Sequence, residues 1–264
     1  MSALQIYQVD AFTNRLFGGN PAAVVVFEAY PAGELLQHIA SENNLSETAY
    51  LVRVNAGVYQ IRWFTPSKEV RLCGHATLAA AHVLFSTDEK TATALSFQTK
   101  AAGTLHVERV GDQLYTMNFP ADVPKEEAVS EAVASALGQR PQALFSGLDD
   151  LLAILPSEAK LRQLTPDSNL LKTFPHRGVI VSAPGDKVDF VSRCFYPNYG
   201  IEEDPVTGSA HTLMTPYWVG RLGKNPLTAQ QISPRIGDIK CRLEGDRVFL
   251  TGGCVTYLVG ELLL

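Results

Sequence analysis

The sequence is poor in the features that mark several large classes of protein. It has no excess of positive charge: 22 Lys and Arg against 27 Asp and Glu leave a formal net charge of −5. Nucleic-acid binding needs cations to neutralise phosphates, so this balance argues against such a partner. Long apolar runs are missing too. Stretches such as AAVVVF at 22–27 fall far short of the roughly 20 residues of a membrane-spanning helix. The opening MSALQIYQVDAF has no basic segment followed by an apolar core, so no secretory leader is expected. The four cysteines (Cys73, Cys194, Cys241, Cys254) include no CxxC pair. That suits a reducing cytoplasm and gives no zinc signature. A dinucleotide fingerprint, a phosphate loop, a GxSxG elbow and an HExxH helix are likewise absent, so neither cofactor nor metal is expected. A ligand set of Glu47, His75, Asp204 and His211 can be drawn, but no spacing supports it.

What is present is an ordinary globular composition, 46% hydrophobic and 19% charged, over 264 residues. That length fits one large domain or two small ones. Period-two alternation at 5–12, 47–54 and 58–65 predicts strands, and 95–120 reads as three more. Leu35, Leu36, Ile39 and Ala40 give 33–44 the spacing of an amphipathic helix. The stretch 75–85, HATLAAAHVLF, is apolar nearly all round and predicts a helix buried on most sides. PADVPKE at 120–126 marks a boundary between domains 1–119 and 120–264. Beyond it, helices are expected at 131–139, at 157–173, and at 208–223 with a break near Pro216; strands are expected at DLLAILPS, RGVIVSAP, DFVSRCFYP and over the closing segment. Strands and helices mix without strict βαβ alternation, which gives an α+β class.

The two halves share a pattern. Arg62-Trp-Phe-Thr-Pro66 is followed by Gly74-His-Ala-Thr-Leu, and Arg193-Cys-Phe-Tyr-Pro197 by Gly208-Ser-Ala-His-Thr. Each is a strand, a loop and a Gly-led helix of small residues. Two related domains would each hold a central helix inside a curved sheet. A helix N-terminus attracts anions, so two such starts facing one cleft would suit a carboxylate.

Three stretches concentrate polar chemistry: NNLSETAYL (43–51), RLCGHATL (71–78) and EEDPVTGSAH (202–211). Glu47 enters an apolar strand, where an ionised carboxylate is costly to bury, so it is neutral, paired, functional, or simply exposed at the strand end. His75 stands at a helix start as a ligand-facing or a structural histidine. His82, one heptad on, reads as packing. Asp204 before Pro205 serves a substrate or caps the helix beginning at Gly208 and Ser209. Cys73 beside a helix N-terminus is a candidate thiolate.

These stretches, with VDAFTNRLFGGNPAAVV (9–25) and GGCVTYLVGEL (252–262), resemble the phenazine biosynthesis (PhzF-like) isomerases, relatives of diaminopimelate epimerase. The matching segments span nearly the whole chain in family order. The resemblance implies two pseudo-symmetric domains, each a curved sheet or barrel around a central helix, with the active site between them and the last strand returning to the first domain. It implies Glu47 as the catalytic acid/base, and substrate binding by Gly74, His75, Asp204, Gly208 and Ser209. It implies a cytoplasmic homodimer that isomerises a small carboxylate-bearing substrate by moving a proton, without cofactor. The epimerase relatives carry a cysteine at each central helix start; here those positions are Cys73 and Thr207. Thr207 cannot replace a thiolate, which favours a single carboxylate base over a two-thiol epimerase. An amino-acid racemase or epimerase using Cys73 or Glu47 with a second base, and a binding protein without turnover, are the alternatives.

Overall fold

The computed structural model describes residues 4–264; the first three residues of the stretch read for a leader lie outside it. The described residues divide into two compact units, one of residues up to 118 with 251–264, the other of residues 119–250. In chain order the elements are β1 (Leu4–Ala11), β2 (Asn20–Phe27), α1 (Gly33–Asn43), β3 (Glu47–Asn55), β4 (Val58–Phe64), β5 (Glu69–Val70) and α2 (Gly74–Ser86). Then come β6 (Ala94–Gln98), β7 (Thr104–Gly111), β8 (Leu114–Pro120), β9 (Lys125–Glu127), α3 (Glu131–Leu137), β10 (Ala143–Ser146) and β11 (Asp150–Ile154). The remainder is α4 (Glu158–Arg162), α5 (Ser168–Leu171), β12 (Gly178–Pro184), β13 (Phe190–Tyr196), β14 (Ile201–Asp204), α6 (Gly208–Leu222), β15 (Leu227–Gln231), β16 (Gly237–Glu244) and β17 (Arg247–Leu262).

The first unit is a closed barrel. β1 pairs with β2 and with the far half of β17; β2 runs parallel to β3; β3, β4, β6, β7 and β8 follow in turn. Pairing of β8 with β17 closes the ring. Closure leaves no free edge. Inside lies α2, with every residue from His75 to Phe85 buried. Its all-round apolar composition is what such a position demands. A polar group there must be paired, and His82 is: Nδ1 lies 3.0 Å from Tyr115 Oη and Nε2 lies 2.8 Å from Thr256 Oγ1. The amphipathic α1 covers part of the outside through Leu36, Ile39 and Ala40, against Val25, Tyr50 and Phe64.

The second unit repeats the order of pairings. β11 is parallel to β12 as β2 is to β3. β13 lies antiparallel to β12 and parallel to β15, as β4 lies to β3 and to β6. Central helices α2 and α6 each follow a short strand, β5 or β14, in the same place. The fold is therefore the α+β, two-domain arrangement of the diaminopimelate epimerase type.

Two expectations change. α6 runs unbroken from Gly208 to Leu222 with Pro216 inside it. Proline removes the N–H that would bond the Thr212 carbonyl; the Asp122 amide takes that place at 3.1 Å, so the helix continues. The segment 157–173 is two short helices, not one. Ser157 caps α4 and Asp167 caps α5, and Pro166 stands between them. A residue before proline avoids the helical region, which separates the two.

Candidate active site

In the first unit the barrel brings three polar side chains to the start of α2. Glu47 opens β3 opposite Ala22 of β2. Asn20 opens β2, and Gly19 delivers the chain to it at φ +60°, where an added Cβ would sit 2.0 Å from the Ala11 carbonyl oxygen. Only glycine passes there. His75, the second residue of α2, places Nε2 3.1 Å from Glu47 Oε2. The two atoms are at ion-pair distance without hydrogen-bond alignment, since neither makes a hydrogen bond. On the other side of the ring, Nδ1 lies 3.2 Å from Asn20 Nδ2 and 3.5 Å from Cys73 Sγ. With the Asn20 amide nitrogen turned to the ring, Nδ1 can only accept and the ring is neutral; an imidazolium, with a proton on each nitrogen, calls for the amide turned round so that Asn20 Oδ1 accepts from Nδ1.

Electrostatics assign the charges. Burial works against a charged His75, but the Cys73 sulfur and the Glu47 carboxyl, each facing a ring nitrogen, favour the ring proton and hold its pKa well above the ordinary value. Burial pushes the Cys73 thiol up to about 11, and Glu47 adds to the rise. At neutral pH Cys73 is thus a protonated thiol. A helix start lowers a thiol's pKa; here desolvation prevails, because Cys73 is only 7% exposed. Glu47, Cys73 and His75 each offer one donor atom, all within 4.8 Å of one another. This trio could hold a thiophilic divalent ion only if the thiol gave up its proton. Cys73 is the N-cap of α2 yet makes no side-chain capping bond. The first intrahelical bond runs from the Thr77 amide to the Cys73 carbonyl at 3.2 Å.

In the second unit Asp204, Gly208 and Ser209 gather at the start of α6. Thr207 is its N-cap, also without a capping bond; its hydroxyl donates to Asp204 Oδ2. Gln231 fixes the turn. Its Oε1 accepts from the Thr207 amide at 2.8 Å and its Nε2 donates to the Asp204 carbonyl at 2.7 Å. His211 Nδ1 sits 2.8 Å from the Thr207 carbonyl, and burial pulls its pKa down to about 4. It is therefore neutral and donates from Nδ1. Ser209 Oγ accepts from Arg177 Nη2 at 3.0 Å. Arg177 is gripped in turn by Asp150: Nε donates to Oδ1 at 2.9 Å and Nη2 to Oδ2. The guanidinium also lies over the Tyr196 ring, 5.3 Å from its centroid.

Sequence reasoning did not identify Asn20, Arg177, Asp150 or Gln231. Asn20 was hidden in FGGNP, which carries the signal of a turn. The others lie far along the chain from the residues they touch, and only strand register brings them together.

A central helix inside a strand barrel, entered by a glycine and faced by a carboxylate, defines an epimerase-type fold. A hydroxyproline epimerase of Agrobacterium vitis shares it, with a TM-score of 0.64 at 12% identity over 98% of this chain and 92% of that one. More specifically, residues 9–260 match the family model of phenazine biosynthesis-like proteins, and the chain belongs to that family. A curated relative in Pseudomonas aeruginosa, named an uncharacterized isomerase, is 49% identical over 99% of each chain. A crystal structure of a PhzF-family phenazine biosynthesis protein from Enterococcus faecalis superposes with a TM-score of 0.95 at 42% identity, covering 99% of this chain and 100% of that one. The names of the relatives support isomerase activity at the level of the family. No helix among the described residues is long and apolar enough to cross a membrane.

Proposed function

We propose that this protein is a cofactor-independent isomerase that moves a proton on a small carboxylate-bearing substrate, with Glu47 as the acid/base. The observation that carries this reading is the buried Glu47–His75 contact of 3.1 Å at an uncapped helix start. Glu47 takes a proton from the carbon next to the substrate carboxylate. The C–H electron pair delocalises into that carboxylate, stabilised by helix amides at Gly74. In a β,γ-unsaturated substrate Glu47, open to exchange with solvent, then delivers a proton to the γ-carbon, the double bond moves from β,γ to α,β, and Glu47 is a carboxylate again. A general acid/base must be able to cycle its proton, and an imidazolium beside it compensates the charge. For Asp204, Gly208 and Ser209 the proposed role is to hold substrate rather than to transfer protons. A thiol-based racemase is less well supported, since Cys73 is held up at about 11 and the N-cap of α6 is Thr207.

The test is hydrogen exchange in D2O with a panel of small amino, hydroxy and unsaturated carboxylic acids. Mass spectrometry should show deuterium entering a substrate carbon in the presence of the wild-type protein and not with Glu47→Gln. Chiral chromatography of the same mixtures separates a proton shift from inversion at one centre. Inversion alone would replace the proposed reaction with epimerisation.

A further inference from the structure

The internal repeat aligns more than the helices. Trp63 and Cys194 occupy the same place in the two R-x-F-x-P strands, and they pair with Ala49 and Ile180 respectively. Counting back along the partner strands, Glu47 corresponds to Gly178, and the residue before it corresponds to Arg177. On the central helices, His75 and Ser209 are both second residues. In each unit, then, an ionisable side chain from the start of the same strand meets the second residue of the central helix. In the first unit the pair is a carboxylate and an imidazole. In the second it is a guanidinium and a hydroxyl. Where the first unit places a pair able to exchange a proton, the second places permanent positive charge, since arginine does not lose its proton.

The hydrogen-bond inventory gives this substitution a consequence. A serine hydroxyl has one proton to donate, while a guanidinium can only donate. Arg177 therefore forces Ser209 Oγ to be its acceptor, at 3.0 Å. The single Ser209 proton is left to point at something else, and a half-exposed Ser209 can present it to a ligand. Asp150, only 4% exposed, holds the guanidinium from behind through both of its oxygens and keeps it on Ser209.

Resting on the proposed function, we infer that the Asp150–Arg177 pair is a positioning device. It fixes Ser209 as an obligate hydrogen-bond donor and makes the start of α6 a carboxylate-holding part of the machinery, in addition to the amides at Gly74. Arg177 acts through Ser209 and is not itself a proton-transfer group.

The test uses the whole protein with acetate as the probe, read from the amide signals of Gly208 and Ser209 by NMR. Ser209→Ala should weaken acetate binding by about tenfold, the scale of one hydrogen bond to a charged group. Arg177→Lys keeps the charge beside Asp150 but loses the fork, and should weaken binding by a similar factor. The double variant should bind no worse than Ser209→Ala alone, because both changes remove one interaction. The paired Asp150→Asn/Arg177→Gln variant, which strands no buried ion, should behave like Arg177→Lys. A readout that needs only wild type and Ser209→Ala is the Arg177 Nε–H signal, which should respond to acetate in the first and not in the second. Losses that add in the double variant, or an Arg177 signal that responds equally without Ser209, would overturn the positioning role and leave the isomerase reading intact. Silence of the Gly208 and Ser209 amides in wild type would defeat the carboxylate-holding reading itself, and the inference with it.

Discussion

Lowering the pH should weaken each unit through one buried, neutral histidine. Burial brings both His82 and His211 down to about 4. An unfolded histidine titrates near 6.5. Between those values the unfolded chain binds a proton that the folded chain refuses, so stability is fully present above about 6.5 and is lost as pH falls toward 4. A difference of about 2.5 pH units at about 1.4 kcal/mol each makes the full loss roughly 3 kcal/mol per histidine, of which about 2 kcal/mol falls between pH 6.5 and 5. The two tryptophans report the units separately: Trp63 is buried in the first and Trp218 in the second, the latter stacked on Phe190 beside His211. Urea unfolding of Trp63→Phe and Trp218→Phe backgrounds, with and without His211→Gln or His82→Gln, isolates each contribution. Carboxylates titrate alike in the paired proteins and cancel. Wild type should lose about 2 kcal/mol more than the matching Gln variant between pH 6.5 and 5. Parallel stability curves would mean that the histidine is already protonated in the fold, and would refute the desolvation argument.

His75 has the opposite sign. Its folded pKa is raised, so its contribution is fully present below about 6.5 and is lost as pH rises through the folded value; relative to His75→Gln, wild type should lose its advantage on the alkaline side, measured by the same urea titrations. In the deuterium-exchange assay, Glu47→Gln should slow turnover by at least about 10²-fold, the low end for a general acid/base, while Cys73→Ser retains most activity; an active Glu47→Gln beside a dead Cys73→Ser would restore a thiol mechanism. Gly178→Ala should destabilise by about 1–3 kcal/mol, because an added Cβ would lie 2.1 Å from Tyr196 Cδ1. Thermal unfolding measures it, and an unchanged midpoint would show that the ring moves aside freely.

Much of this was legible in the sequence where one residue pattern dictates one local answer. HATLAAAHVLF has no polar face, so it could only be an enclosed helix, and it is. The helix expected at 131–139 ends at Leu137, where Gly138 turns the backbone left-handed. Several strands that went unrecognised are short and polar. Lys125–Glu127 is three exposed charges that pair with Leu144–Ser146. Ile201–Asp204 is held by the register of Cys194 with Asp204 and Tyr196 with Ile201. Leu227–Gln231 carries two glutamines and follows β13 in parallel. Such strands exist because a neighbour offers hydrogen bonds, which no local pattern records. The same holds for the site. Glu47 and His75 stand in conspicuous polar surroundings, whereas Arg177 gains its meaning only from Asp150 and Ser209.

The closing strand imposes an order on how the chain comes into being. The first unit's barrel lacks one stave until residues 251–262 arrive to join β1 and β8. On the ribosome the second unit, whose residues 119–250 are contiguous, can therefore be finished first, although it is translated second. Until then β1 and β8 present unpaired edges, the condition that invites pairing with a foreign strand. A nascent chain stalled before the last strand would carry Glu47 and His75 in an open sheet, and a ribosome-bound series of increasing lengths should gain protease resistance in the second unit before the first.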